Sequence, residues 1–319
     1  KGSKTVKLIT LTPNDTIHTA LNIFIDQEIS GIPIQKSNDG CGVNDFLGIL
    51  KVTDVLKYIL KDAPESFYNQ NIETLLERPI HVIIDTCGIK KALIIKEQLN
   101  LMKLLLSHWS MERMTSSSME ADLKHLLVCC SNGTFDVVTP SDLLRYILLL
   151  SKEGGYLRKT KADPVVTSSY SMKEGKTVYD DEDAWSAFSR LLGTDPFYLM
   201  AVLDRNTGQL AANLSAIDFL SMKRTIPLEL TISMIRRPGL SLYSFICATR
   251  PVFSSRDLEP VEVLPHYTIA DLIEKMAKLK VHQLWKVSRD RSRKPLGIVS
   301  ICDVIQFLCK NLEQFCDIK

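Results

Sequence analysis

The sequence predicts a mixed α/β fold built from four copies of one small strand-helix-strand-strand-helix unit. The first observation behind this is a short recurring element: an apolar, often β-branched run, then a Ser, Thr or Lys, then an Asp three places on, then an apolar helix. It stands at Gly48-Ile49-Leu50-Lys51-Val52-Thr53-Asp54 and at Asp136-Val137-Val138-Thr139-Pro140-Ser141-Asp142. It returns at Ala212-Asn213-Leu214-Ser215-Ala216-Ile217-Asp218 and at Gly297-Ile298-Val299-Ser300-Ile301-Cys302-Asp303. Successive Asp residues lie 88, 76 and 85 positions apart, as expected of a repeated supersecondary unit. The second observation is that an amphipathic stripe and a short apolar strand precede this element in the clearest copies.

Taken in order, residues 7–13 read as a strand ending in a turn. Ile17, Ala20, Leu21 and Phe24 then share one face of a helix. Gly31-Ile32-Pro33-Ile34 is the second strand, the polar turn 38–42 leads to a third strand at 46–50, and a helix over 54–61 closes the first copy. The second copy is the least regular. Its first strand is expected at 81–85 and its second at 126–130. Between them lie a helical segment over 99–109 and a Ser-rich inserted loop at 115–118. The third copy runs from a strand at 177–179 through a helix at 183–192, a strand at 198–203 and a turn at 204–208 to a helix after Ser215. The fourth has a strand at 261–265, an amphipathic helix over 268–279, a strand at 281–287 and an arginine-rich loop at 289–294 before its closing element. The Ser-, Gly- and Lys-rich stretch 151–176 reads as a linker between two halves.

The bulk numbers narrow the class. With 319 residues, 45% hydrophobic and 24% charged, the chain has an ordinary globular composition and room for about two domains. A net charge of +2 gives no support for a nucleic-acid or membrane-surface partner. The 8 Cys show no metal-type CxxC pairs, and Cys302, Cys309 and Cys316 read as a buried helical stripe of reduced thiols. No apolar run reaches the ~18 residues of a membrane span, and Lys1-Gly2-Ser3-Lys4 is no signal segment. A soluble protein of the cytoplasm, the nucleus or both is the expectation. HExxH, GxSxG and GxGxxG patterns are absent, so no enzyme and no catalytic cofactor or metal is expected. Glu174-Gly175-Lys176-Thr177 echoes the tail of a P-loop, but it precedes a strand rather than a helix.

With the repeated element in view, the chain resembles the cystathionine-beta-synthase (CBS) domain family. The likeness rests on those four elements and on the start Pro13-Asn14-Asp15-Thr16-Ile17-His18-Thr19-Ala20, echoed by residues 265–270. Four such units in a chain of this length resemble the gamma regulatory subunit of the AMP-activated protein kinase family. The resemblance implies four CBS repeats paired into two Bateman modules that form a pseudo-symmetric disk. The first module would span 5–150 (repeats at about 5–61 and 78–150). The second would span 177–312 (repeats at about 177–223 and 245–312), with 151–176 linking them. It implies a non-catalytic subunit that binds AMP, ADP or ATP as a regulatory ligand and senses energy state. A kinase catalytic subunit and a scaffold subunit would be its partners.

Carried onto this chain, the resemblance gives Asp54, Asp142, Asp218 and Asp303 the ribose hydroxyls. It gives Thr139, Ser215 and Ser300, with the basic second-strand residues Lys124, His125 and His282, the phosphates. The physical case agrees: a carboxylate accepts two vicinal hydroxyls, and a hydroxyl at a helix start lies beside unpaired N–H groups that favour a phosphate. The departures are specific. Lys51 stands where the family has a Ser or Thr. Where the family favours a His-Arg pair on the second strand, the copies have Ser30-Gly31, Lys124-His125, Phe197 and His282-Gln283 in turn. Arg binds phosphate bidentately, which none of these replaces.

Plainer readings stand beside these. Ser/Thr-x-x-Asp at a helix start is also a capping box, and Thr139-Pro140-Ser141-Asp142 has Pro at the favoured first helical position. Capping boxes ordinarily use the longer Glu or Gln, and Asp54 has no hydroxyl three places before it; both facts weigh toward a ligand. His125 and His282 flank apolar strand residues, where a His is often a satisfied core or edge residue. The run Asp180-Asp181-Glu182-Asp183 precedes a helix, where acids favour the positive end of the dipole. Two rival functions follow: an interaction scaffold whose clefts no longer bind nucleotide, or the detached CBS region of a channel, transporter or metabolic enzyme.

Overall fold

The computed structural model describes residues 8–37, 42–62, 72–89, 91–96, 121–150, 155–168, 170–171, 177–192, 199–216, 218–221, 232–235, 239–249, 260–279, 281–290 and 292–311. The 38–41 turn, the 99–109 helix, the 115–118 loop, Phe197, Cys316 and the side chain of Lys124 lie outside the described residues.

The first copy holds α1 (Ile17–Asp26), β1 (Gly31–Gln35), β2 (Phe46–Lys51) and α2 (Val52–Lys57), with a wider helical turn over Tyr58–Asp62 continuing α2. Thr16 caps α1 by accepting the Thr19 N–H at 3.1 Å, and Ile17, Ala20, Leu21 and Phe24 are buried as the 3.6-residue spacing requires. After α3 (Ile72–Leu76) and α4 (His81–Cys87), the second copy has β3 (Lys91–Lys96), β4 (Ala121–Cys129), β5 (Phe135–Val138) and α5 (Pro140–Leu150). Next come α6 (Tyr156–Lys159), α7 (Asp163–Ser168) and β6 (Tyr170–Ser171). The third copy is β7 (Thr177–Tyr179), α8 (Ala184–Leu191), β8 (Leu199–Leu203), β9 (Leu210–Ser215) and α9 (Asp218–Ser221). After α10 (Leu242–Thr249), the fourth copy is α11 (Ile269–Leu279), β10 (Gln283–Val287), β11 (Pro295–Ser300) and α12 (Ile301–Lys310).

The same sheet recurs in each copy. The second and third strands pair antiparallel: Gly31 opposite Lys51, Leu126 opposite Val138, Leu199 opposite Ser215 and Gln283 opposite Ser300. The first strand lies parallel to the second, as β3 to β4 and β7 to β8, shrinking to single bridges at Leu11–Ile34 and Glu262–Trp285. The parallel step needs a crossover helix, which α1, α8 and α11 supply.

One expectation is corrected. Residues 81–85 are not a strand but part of α4; the first strand of the second copy is β3. The β-branched run Val82-Ile83-Ile84 reads as a strand locally. Tertiary anchoring overrides it: Ile80 and His81 donate their N–H groups to the Asp15 and Pro13 carbonyls, and Ile83 is fully buried. Gly88, at φ 61°, ends the helix in the left-handed conformation that glycine adopts without penalty. Within the expected linker, the described residues form α6, α7 and β6. Leu157, Ala162 and Val165 are buried against the fourth copy, and β6 adds to β11 with Tyr170 opposite Ile298.

Two apolar clusters hold the copies together. One joins the helices of the first and third copies with α3, α4 and α10, and it includes the edge-to-face pair Phe188 and Phe245 at 5.2 Å. The other joins the second and fourth copies, with α5 lying on α11 and α12. Sheet faces make the remaining contacts. Leu199, Ala201 and Leu210 of the third copy meet Trp285 and Ile298 of the fourth, and Phe46 of the first meets Phe135 of the second at 4.9 Å. Truncating Phe188 to Ala is expected to cost about 3–5 kcal/mol of stability in urea unfolding. Leu149→Ala, at a position 83% exposed on α5, is expected to change it by less than about 0.5 kcal/mol.

Candidate functional site: the four helix mouths

Each third strand runs straight into its closing helix, and the repeated Asp sits three residues past the last strand residue. At this offset the carboxylate folds back over the helix start. Asp54 accepts the Lys51 N–H at 2.9 Å, Asp142 that of Thr139 at 3.0 Å, Asp218 that of Ser215 at 2.7 Å and Asp303 that of Ser300 at 2.7 Å. In every case the acceptor is Oδ2. The hydroxyls of Thr139, Ser215 and Ser300 donate to the same oxygen at 2.6, 3.1 and 2.7 Å. Thr139 and Ser300 close the reciprocal half by accepting the N–H of Asp142 and Asp303.

Asp is therefore long enough to complete a capping box, and Asp54 makes its half with a lysine at the cap position. Neither the shorter side chain nor the lysine before Asp54 separates a ligand site from a cap. Thr268 and Asp271 form the same box at the start of α11, which follows no third strand.

Burial separates the mouths where hydrogen bonding does not. Asp142 is exposed, and its second oxygen meets Arg145 at 3.5 Å in a solvent-facing pair of little energetic weight. Asp54 and Lys51 are half-buried. Asp218 is buried, and in the fourth copy both Ser300 and Asp303 are buried, Asp303 being 9% exposed. Burial pushes the Asp303 carboxyl above the ordinary aspartate range, against the opposing pull of the Ser300 hydrogen bonds. Its Oδ1 takes no bond among the described residues.

Strand register aligns His125 with Gln283 and Lys124 with His282, because Leu126 faces Val138 while Gln283 already faces Ser300. His125 and His282 are thus one position apart in the repeat, and His282 lies just before β10. His282 is exposed, and its carbonyl accepts the first N–H of α12, from Ile301, at 2.9 Å. The Ser30 carbonyl does the same for Val52 in the first copy, at 3.3 Å.

His125 is 8% exposed and turns onto the first copy, its Nε2 lying 3.3 Å from the Ser30 Oγ. A Cβ built on Gly31 would come within 2.8 Å of that Nε2 and 2.9 Å of Cδ2, so only glycine lets the ring sit there. The signal in the sequence was Gly31 itself, since a glycine inside a strand often marks close approach by another group.

The acidic run 180–183 is fully engaged. Asp183 caps α8 by accepting the Ser186 N–H at 2.9 Å, Glu182 pairs with Arg190 at 2.7 Å, Asp181 pairs with Arg205 at 2.8 Å, and Asp180 accepts the Arg205 N–H. Among the described residues, no group of three or more His, Cys, Asp or Glu side chains is gathered as for a metal. Among them too, no helix is long and apolar enough to cross a membrane. Cys302 and Cys309 are partly rather than fully buried.

The raised Asp303 carboxyl sets a pH dependence. The fold holds the protonated form more tightly than the unfolded chain does, so this stabilising share is full below the ordinary value near 4 and is lost as pH rises through the raised value. Asp303→Asn cannot ionise there. The melting temperature of the wild type minus that of Asp303→Asn should therefore fall as pH rises from about 4 and then level off. A difference that grows over that range would contradict the burial of this carboxyl.

Comparisons with known proteins accord with this architecture. The CBS domain family matches residues 4–61 and 255–310. A structure from Methanocaldococcus jannaschii, described as "a putative archaeal homolog of g-AMPK", matches with a TM-score of 0.66 and 13% identity. The match covers 96% of this chain and 98% of that one. An uncharacterised conserved protein of Pyrococcus horikoshii matches with a TM-score of 0.51 and 17% identity, over 95% and 96% of the two chains. Among curated proteins none matches by sequence. With the family matched in the first and last copies, and one sheet and one helix mouth recurring in all four, the fold is that of tandem CBS repeats, similar to that of the Methanocaldococcus jannaschii structure.

Proposed function

We propose that the chain is a non-catalytic regulatory protein that binds an adenine nucleotide at a CBS helix mouth, foremost that of the fourth copy. It acts as a gamma-type subunit of a Ser/Thr protein kinase complex, with a catalytic and a scaffold subunit as partners. The observation that carries this reading is the buried Ser300–Asp303 pair at the start of the ten-residue α12. Oδ2 of Asp303 is committed to the cap, while Oδ1 keeps acceptor capacity for sugar hydroxyls. A carboxylate held away from water forms stronger hydrogen bonds to such hydroxyls than an exposed one. The N-terminal N–H groups of α12 and its dipole favour a phosphate alongside, and His282 lies one strand away. Asp218 in the third copy is buried in the same way.

Regulation follows only if nucleotide binds two arrangements of the copies with different affinity. The shared clusters provide for that, because no copy can shift without repacking the one behind it.

Calorimetric titration with AMP, ADP and ATP tests the reading. Heat at sub-millimolar nucleotide is expected, with a stability gain of about 2.7 kcal/mol at a hundredfold excess over the dissociation constant. No heat from a folded chain would refute it. Asp303→Ala should weaken binding more than Asp54→Ala, and equal effects would show that the mouths are ranked wrongly.

A further inference from the structure

We propose that His125 is a built-in occupant of the first copy's helix mouth, a side chain lent by the second copy that keeps nucleotide out of that mouth. The inference rests on the nucleotide-binding reading and adds which mouths are open. Three observations converge on it. The ring lies against Gly31, which faces Lys51 at the start of α2 across the strand pair. Its Nε2 is within 3.3 Å of the Ser30 hydroxyl, and the carbonyl of that residue already holds the first N–H of α2. The ring is buried, so a ligand reaching this mouth from the side of the second copy meets imidazole first.

The second pair is built differently at the same positions. Leu199 replaces Gly31 and packs flat between the sheets with Trp285 and Ile298, while Gln283 replaces His125. Among the described residues, no ring seated over a glycine closes that mouth. The two pairs are thus unequal by a matched exchange of small for large, and the exchange leaves the mouths of Asp218 and Asp303 to the ligand.

Two measurements on the full chain test this. In AMP titrations, the wild type should show binding that Asp218→Asn and Asp303→Asn together abolish. His125→Ala should retain that binding and add a further event, which survives in the His125→Ala/Asp218→Asn/Asp303→Asn triple variant. A His125→Ala chain that titrates like the wild type overturns the proposal. So does one that loses binding, which would make the ring a nucleotide contact. The second measurement uses free imidazole as the probe and needs no nucleotide. If the ring fills a seat over Gly31, imidazole should give a saturable rise in the melting temperature of His125→Ala and none in the wild type. No rise overturns the seat itself. A folded chain in which imidazole restores His125→Ala, while neither form takes up AMP, refutes the nucleotide reading and with it the gating role, the seat alone remaining.

Discussion

Phe24 of the first copy and Phe188 and Phe245 of the second half are fully buried in one continuous apolar cluster, and neither half can close that cluster alone. Units of this size bury too little surface to stand by themselves. The constraint is met by giving each copy two neighbours: one across its sheet and one across its helices. The first copy meets the second through sheet residues and the third through helices; the fourth meets the third and the second in the same two ways. The contacts form a closed circuit, so displacement of one closing helix is felt by the copy packed behind it.

Within that circuit the polar chemistry lies where strand three becomes helix. Ending a strand and starting a helix in consecutive residues leaves several N–H groups without partners, and the repeated Asp satisfies one of them in every copy. This local duty explains why the residue recurs. It does not explain why its surroundings diverge, from the solvent-facing Asp142 to the buried Asp303. The divergence comes from which neighbour covers each mouth, and there the four copies cease to be equivalent.

The repeat was legible because it is carried by short-range signals. Alternation and helical spacing placed α1, β1, β2, α8, β8, α11, β10 and α12 within a residue or two of their positions. The second copy was harder to read. The run Val82-Ile83-Ile84 has the composition of a strand, and only its anchoring to Pro13 and Asp15 and the turn at Gly88 make it a helix. The stretch 151–176 reads as a connector because its small and basic residues show no period, yet within it Leu157, Ala162 and Val165 are buried and residues 170–171 pair with β11. At the site, the carboxylates and hydroxyls of the helix starts were legible, but Leu199, which the register sets at the position of Gly31, was not. The pairing of Lys124-His125 with His282-Gln283 is the one the register shows, so His125 corresponds to Gln283 and not to the other histidine.

What the sequence by itself determined is the unit: its strand and helix order, its cap, and the offset that returns a carboxylate to the helix start, all of which depend on residues within a few positions of one another. Only the tertiary structure decided how the mouths differ. Whether a carboxylate is wet or dry, and whether an imidazole lies over Gly31 or a Leu packs against Trp285, depends on side chains about a hundred residues apart brought together by burial. Burial by a distant neighbour leaves no period in the chain from which it could be read.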